Sequence, residues 1–355
     1  MKRLVANIRY NAGIFFLAVI LYGCSASEKS YYEIPLEFRS PEKKAEFIKN
    51  YYPYISGRKI FIDPGHGGRE KGNKGFESFE TEANLNLKVS LYLKKFLNEA
   101  GAVVFMSRTK DTTVDLKQRS VLADSSGAEI FISIHHNAPG SAEDFWTDYT
   151  STYYHARKND FEYEPCNRDI ARYVQRDLAY AVRNSGGPGS FDGTYSDYMI
   201  YPGQGFSVLR ETKIPAVLVE CAFSTDHFEA GRLNEDEFNQ IEAWGIFRGL
   251  CRYFKAGIPT ITFLNEKDTL AAGENDLDFF LYDSSGIDPK SIKVQFDSSD
   301  VNEISFDDTT NILSVIIPEA APGEHRLRVI AANKNGNHSF PYHKKIYIML
   351  NENGN

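Results

Sequence analysis

The stretch Lys59-Ile60-Phe61-Ile62-Asp63-Pro64-Gly65-His66-Gly67-Gly68 decides how the rest of the chain reads. Three apolar residues run together and stop at Asp-Pro-Gly, which predicts a short strand followed by a sharp turn. The glycines allow positive φ and let another group approach the backbone closely. One imidazole, His66, is presented at the strand's end. A lone histidine after a strand is more often structural than a ligand, so its meaning depends on partners elsewhere.

Working outward, residues 58–257 alternate between strand and helix patterns. Glu82 to Ala100 carries Leu85, Val89, Leu93, Phe96 and Leu97 at helical spacing, with Thr81 as N-cap and Gly101 as stop. Ala102–Met106 reads as a strand, Val114–Ser125 as a helix, Glu129–His135 as a buried strand and Asp148–His155 as another. Asn167–Arg183 is helical, Ile214–Glu220 is a continuous apolar strand, and Glu235–Phe254 is a closing helix. Continuous apolar strands alternating with helices imply an α/β fold with a mostly parallel sheet flanked by helices on both faces. After Ala256 the pattern changes to about seven short strands separated by turns, which implies an all-β sandwich, and the segment from FLYDSSGI to APGEHRLRVIAANKNGN resembles bacterial immunoglobulin-like modules. The expected division is residues 1–23 as a leader and 24–57 as a tether with one helix over Glu42–Asn50. A catalytic α/β domain over 58–257 and the β-sandwich over 258–355 complete it.

The leader has Lys2, Arg3 and Arg9 before a short apolar run, Ile14 to Tyr22, too short to cross a bilayer comfortably. It ends Leu21-Tyr22-Gly23-Cys24-Ser25, which resembles a bacterial lipoprotein cleavage box. A lipid on Cys24 would tether an exported protein to a membrane, with a periplasmic, outer-membrane location as the expectation. A plain signal peptide or an uncleaved anchor is the alternative. The net charge of −8, with no Lys/Arg cluster, argues against nucleic-acid binding. Cys166, Cys221 and Cys251 are an odd set without framework spacing, so Cys221 and Cys251 read as buried thiols.

In open α/β sheets, sites gather at the carboxyl ends of strands. Here one such strand leads to His66, another to His135-His136-Asn137, a third to Glu220, and Glu82 opens the helix that follows the first. Two imidazoles and a carboxylate suit a catalytic zinc, which takes three protein ligands at about 2.0–2.2 Å and keeps a fourth position for water. A further carboxylate must then move the water's proton to the leaving amine, and Glu220 suits that task. Asp63 or Asn137 is a candidate to orient a ligand from behind.

Five ordered blocks now carry a resemblance: DPGHGG, ETEANLNLKVSLYLKKFL, SRTKD, FISIHHNA and VLRETKIPAVLVECAF. Over about residues 58–255 they resemble the zinc-dependent N-acetylmuramoyl-L-alanine amidases of the amidase_3 type. The resemblance implies a mixed, mostly parallel sheet flanked by helices, and Zn²⁺ held by His66, Glu82 and His135, with Glu220 as catalytic base. It also implies hydrolysis of the amide between N-acetylmuramic acid and L-alanine in peptidoglycan. His136 departs from the small residue common after the metal-binding His, and reads as a substrate contact or a spare imidazole. Asn137 is a second candidate substrate contact. Arg108, Arg119 and Arg210 are family-like, and Arg210 either meets a substrate carboxylate or forms an ion pair that holds the fold. Tyr195, Tyr198 and Tyr201, in a stretch without helical periodicity over 185–205, either line a saccharide groove or pack a loop. Two rival functions share these residues: a catalytically silent peptidoglycan-binding lipoprotein, and a zinc peptidase of other specificity. The expected partners are peptidoglycan and, through the lipid, a membrane, with any protein activator unspecified.

Overall fold

Ile60, Phe61 and Ile62 form the second position inward of a six-stranded mixed sheet, ordered β2-β1-β3-β6-β4-β5. The strands of this computed structural model are β1 (Lys59–Pro64), β2 (Val103–Met106), β3 (Ile130–Asn137), β4 (Ser151–Tyr154), β5 (Thr194–Ser196) and β6 (Ala216–Phe223). Residues 32–73, 80–141, 144, 146–157, 163–184 and 192–349 are described. The expected leader, Cys24 and residues 185–191 lie outside the described residues. The helices are α1 (Pro41–Ile55), α2 (Glu82–Glu99), α3 (Leu116–Ser125), α4 (Pro165–Val182), α5 (Ser207–Arg210), α6 (His227–Leu233) and α7 (Asp236–Lys255). No described helix is long and apolar enough to cross a membrane.

β2, β1, β3 and β6 are parallel, while β4 runs antiparallel to β6 and β5 parallel to β4. The continuous apolar runs are explained by burial on both faces. Ile60, Ile62, Ile130, Ile132, Ile134, Val217 and Val219 pack with α2, α4 and α7. Phe61, Phe131 and Leu218 pack on the other face with Ala123 of α3 and Leu209 of α5. The helix expected over Glu42–Asn50 begins at Pro41 and runs to Ile55, because Ser40 caps it by accepting from Lys43 N at 3.2 Å. Thr81 does stand at the N-cap of α2 but without a side-chain bond to the helix, and Gly101 follows its end at φ 84°.

Past α7, the described residues form nine strands where seven or so were expected: β7 (Thr260–Phe263), β8 (Thr269–Leu270), β9 (Asn275–Tyr282), β10 (Ile287–Phe296), β11 (Ser299–Asp300), β12 (Ile304–Asp307), β13 (Ile312–Ile317), β14 (Gly323–Asn333) and β15 (Tyr342–Ile348). They form a five-stranded and a four-stranded sheet around Phe279, Val294, Leu313, Leu327 and Ile346. The two-residue strands are too short to show a period in sequence. This β region is bound to the end of α7. Asn337 Nδ2 donates to Tyr253 O at 3.1 Å and Gly257 O at 2.9 Å, and Asn333 Nδ2 donates to Ala256 O at 2.8 Å. These bonds satisfy carbonyls that a helix end leaves without partners.

Candidate metal centre

Because β1, β3 and β6 are parallel, their carboxyl ends share one edge of the sheet. Pro64 pairs in register with Ile134, and His135 with Glu220. The chain leaves β1 through a turn in which His66 itself takes φ 57°, Gly67 φ 124° and Gly68 φ 62°. A non-glycine residue in the left-handed region needs a surrounding that enforces it. Two buried arginines do so. Arg119 donates to Asp63 Oδ1 at 2.6 Å, Pro64 O at 2.7 Å and His66 O at 2.8 Å. Arg108 donates to Pro64 O at 2.9 Å, Gly65 O at 2.8 Å and Ala83 O at 2.7 Å. Burial, and then Arg119 beside it, lower the Arg108 guanidinium to about 10. Asp63 also accepts from Ser107 Oγ at 2.5 Å and Ser133 Oγ at 2.9 Å.

The turn brings His66 to Glu82 and His135. His66 Nε2 and His135 Nδ1 each lie 3.0 Å from Glu82 Oε1, and the two rings are 4.9 Å apart at 80°. Their ligand atoms all fall within 4.8 Å of one another. The imidazole side chains are 21% and 17% exposed while the carboxylate is 2% exposed, so the cluster opens to solvent on the side of the histidines. Burial would raise the Glu82 carboxyl, but hydrogen bonds and charge from His135 and His66 hold it far below the usual carboxylate range. Burial works to lower His66, and Glu82 with Glu70 outweighs it and raises the imidazole. The remaining oxygen, Glu82 Oε2, accepts from Asn73 N at 2.7 Å. Two nitrogens and one anionic oxygen, converging and partly open, are the donor set a zinc ion takes when it keeps a free coordination position.

Glu220 projects on the same face of the sheet as His135, since registered neighbours on parallel strands share a face. Its Oε2 is buried without a hydrogen-bond partner. Burial, and then the charge of Glu82, raise its carboxyl well above the ordinary range. A carboxyl whose proton affinity is raised by burial and by a neighbouring anion is suited, in its ionised form, to taking a proton and returning it.

The other expected site residues fall differently. His136 points to the opposite face of β3, is wholly buried, and has both ring nitrogens hydrogen-bonded, so it is not a substrate contact but the spare imidazole. Asn137 uses its Oδ1 to accept from Ala138 N at 2.8 Å. Arg210 is exposed, donating to Gln204 O at 2.7 Å and pairing with Glu211 at 3.1 Å. Of the three tyrosines, Tyr195 is buried in the core and stacks on Tyr153 at 5.7 Å, while Tyr201 remains 55% exposed. Arg108 and Arg119 stood out in sequence only as family-like residues, and nothing there signalled that they brace the turn after β1. Cys166, Cys221 and Cys251 are buried free thiols.

The profile of the Amidase_3 family, N-acetylmuramoyl-L-alanine amidase, matches residues 60–252. A germination-specific N-acetylmuramoyl-L-alanine amidase of Bacillus subtilis is 30% identical over 214 residues, 56% of this chain and 81% of that protein. The N-acetylmuramoyl-L-alanine amidase LytC of the same organism is 33% identical over 216 residues, 60% of this chain and 38% of that protein. Among solved structures, an N-acetylmuramoyl-L-alanine amidase of Clostridium difficile 630 aligns at 30% identity with a TM-score of 0.49, over 56% of this chain and 98% of that one.

Proposed function

Since this chain belongs to the Amidase_3 family of N-acetylmuramoyl-L-alanine amidases, we propose that it cleaves the amide joining N-acetylmuramic acid to L-alanine in peptidoglycan, with a zinc ion held by His66, Glu82 and His135. The observation that carries this reading is the convergence of those three side chains within 4.8 Å next to a carboxyl, Glu220, with a buried oxygen free of hydrogen bonds.

When bound, zinc supplies Lewis acidity, lowering the pKa of water from about 15.7 to roughly 7 and polarising a carbonyl. The chain's residues do the rest. Arg108 and Arg119 hold the β1 turn so that His66 stays aimed at Glu82. As a carboxylate, Glu220 accepts the attacking water's proton at its free oxygen while the water oxygen bonds to the carbonyl carbon, and delivers it to the L-alanine nitrogen as the C–N bond breaks, so L-alanine leaves as a neutral amine. Hydrogen bonds and charge from His135 and His66 lower the Glu82 carboxyl, which favours the anionic form a metal ligand needs.

Around this centre, the proposed organisation keeps residues 58–257 as the catalytic part and 258–355 as an accessory β-sandwich, a spacer or a binder of wall polymer. Lipidation of Cys24 would tether the exported enzyme to a membrane, and incorporation of labelled palmitate that disappears in Cys24→Ala is its test.

The activity is tested by digesting purified peptidoglycan and identifying the products by mass spectrometry. Stem peptides with a free L-alanine amine, released alongside intact glycan, are expected, with release stopped by a chelator and restored by zinc. Cleavage inside the stem peptide would favour the peptidase reading, and wall binding without cleavage the silent binder.

A further inference from the structure

Side chains alternate along β3, so His135 enters the metal centre and His136 turns beneath α2 and α7. There His136 Nδ1 lies 2.8 Å from Asn86 Oδ1 and Nε2 lies 3.1 Å from Glu242 Oε1. All three residues are wholly buried. The Asn86 amide has one orientation that fits. Its Nδ2 faces two acceptors, Gly65 O at 3.2 Å and Glu82 Oε1 at 3.3 Å, so the nitrogen donates there and Oδ1 accepts from His136 Nδ1. Glu242 is fixed in turn by Asn239 Nδ2, which donates to its Oε2 at 3.3 Å and to Leu233 O at 3.0 Å. A line of hydrogen bonds thus runs from α7 through β3 to α2 and ends on Glu82 and on the carbonyl of Gly65.

We propose that His136, Asn86 and Glu242 are positioning residues which fix Glu82 and the Gly65 turn and thereby set the metal affinity of the centre. This rests on the metal reading above. A glutamate at the first position of a helix has several rotamers, and a ligand oxygen must sit within tenths of an ångström of its place. Asn86 restricts Glu82 directly. His136 holds Asn86 in the one amide orientation that can donate, and Glu242 holds His136. Side chains that orient a metal ligand typically carry about 10- to 100-fold in affinity.

The same buried group offers a competing reading, because His136, Cys221 and Glu242 have ligand atoms within 4.8 Å. Complete burial, which also raises the Cys221 thiol, works against a thiolate ligand there.

The test measures zinc stoichiometry and zinc dissociation constants of the full chain by competition with a chromophoric chelator. Thermal melts and kcat and KM on a soluble muropeptide accompany it. Asn86→Leu and Glu242→Leu are expected to weaken zinc by at least about 10-fold, with kcat falling and KM nearly unchanged. Glu242→Gln, whose amide oxygen still accepts from Asn239 Nδ2 while its nitrogen donates to His136 Nε2, is expected to stay within about 3-fold of the parent. If Asn86→Leu does not fold, Asn86→Ser is measured against the same threshold. Variants that lose thermal stability but bind zinc as tightly as the parent overturn the proposal, leaving the amidase reading intact. Two zinc ions per chain, reduced to one by Glu242→Leu, also overturn it, in favour of a second metal site. A parent chain that binds no zinc overturns the metal reading itself.

Discussion

Gly65 lies flat against the ring of His135: a β-carbon on Gly65 would stand 2.2 Å from Cε1 and 2.3 Å from Nε2. The turn that presents one imidazole therefore leaves room for the other only because it carries no side chain. Gly65→Ala must push the His135 ring away, at about 1–3 kcal/mol for overpacking. The expected result is a folded protein with zinc affinity reduced at least about 10-fold, seen by chelator competition alongside a thermal melt. Unchanged zinc binding would show that the ring yields without cost.

Glu220→Gln keeps the shape of the side chain and removes its ability to carry the proton. Turnover should fall by about 10²–10⁴-fold, the usual contribution of a positioned acid–base group. Elemental analysis should find the same zinc content as in the parent, because Glu220 is proposed as no ligand. A variant with parental kcat would remove Glu220 from the proton path.

Arg119 is buried with Asp63 as a pair at 2.6 Å and also serves two carbonyls of the turn. Lysine has one nitrogen where arginine presents a planar fork, so Arg119→Lys cannot satisfy the three acceptors together. Loss of about 2–4 kcal/mol in urea unfolding is expected, the range for leaving buried partners of an ion pair incompletely bonded. Asp63→Asn should lose a comparable amount.

Away from the centre, Asn184 Nδ2 bridges two acids, donating to Asp148 Oδ1 at 2.9 Å and Glu229 Oε1 at 3.2 Å. Burial and then the charge of Asp226 push Asp148 up to about 6 from an ordinary 3.8. Burial and then the charge of Asp148 push Glu229 up to about 8 from 4.5, against the opposing pull of Arg232. In both windows the folded chain binds more protons than the unfolded one, so this contribution is fully present at low pH and is lost as pH rises through the folded values. Stability should therefore fall between pH 4.5 and about 8, by up to about 1.4 kcal/mol per pH unit for one proton. Urea midpoints across that range should decline in the parent and stay flatter in Glu229→Gln. Equal slopes in the two proteins would remove this pair as the source.

Sequence and structure divide this protein along a physical line. Periodicity is a local property, so the unbroken apolar runs of β1, β3 and β6 and the helical spacing of α2 were legible, as was the change of pattern after Ala256. The placement of His66, His135 and Glu220 near strand ends, and of Glu82 at the start of the helix after the first strand, was legible too, because a strand's direction is carried by the chain itself. Short strands such as β8 and β11 were not, because two residues show no period. The antiparallel turn of β4 and β5 was not, because strand direction in a sheet depends on partners distant in the chain. His136 shows the limit most sharply. One residue of alternation separates it from His135, yet what lies beneath it is set by Asn86 and Glu242, 50 and 106 positions away. The grip of Arg108 and Arg119 on the carbonyls of residues 64 to 66 was equally hidden, since a guanidinium's partners are fixed by packing and not by its neighbours in sequence. The sequence by itself determined which residues can do the chemistry. Only the tertiary structure decided which of them share a site, because contact between distant residues is a property of the folded core.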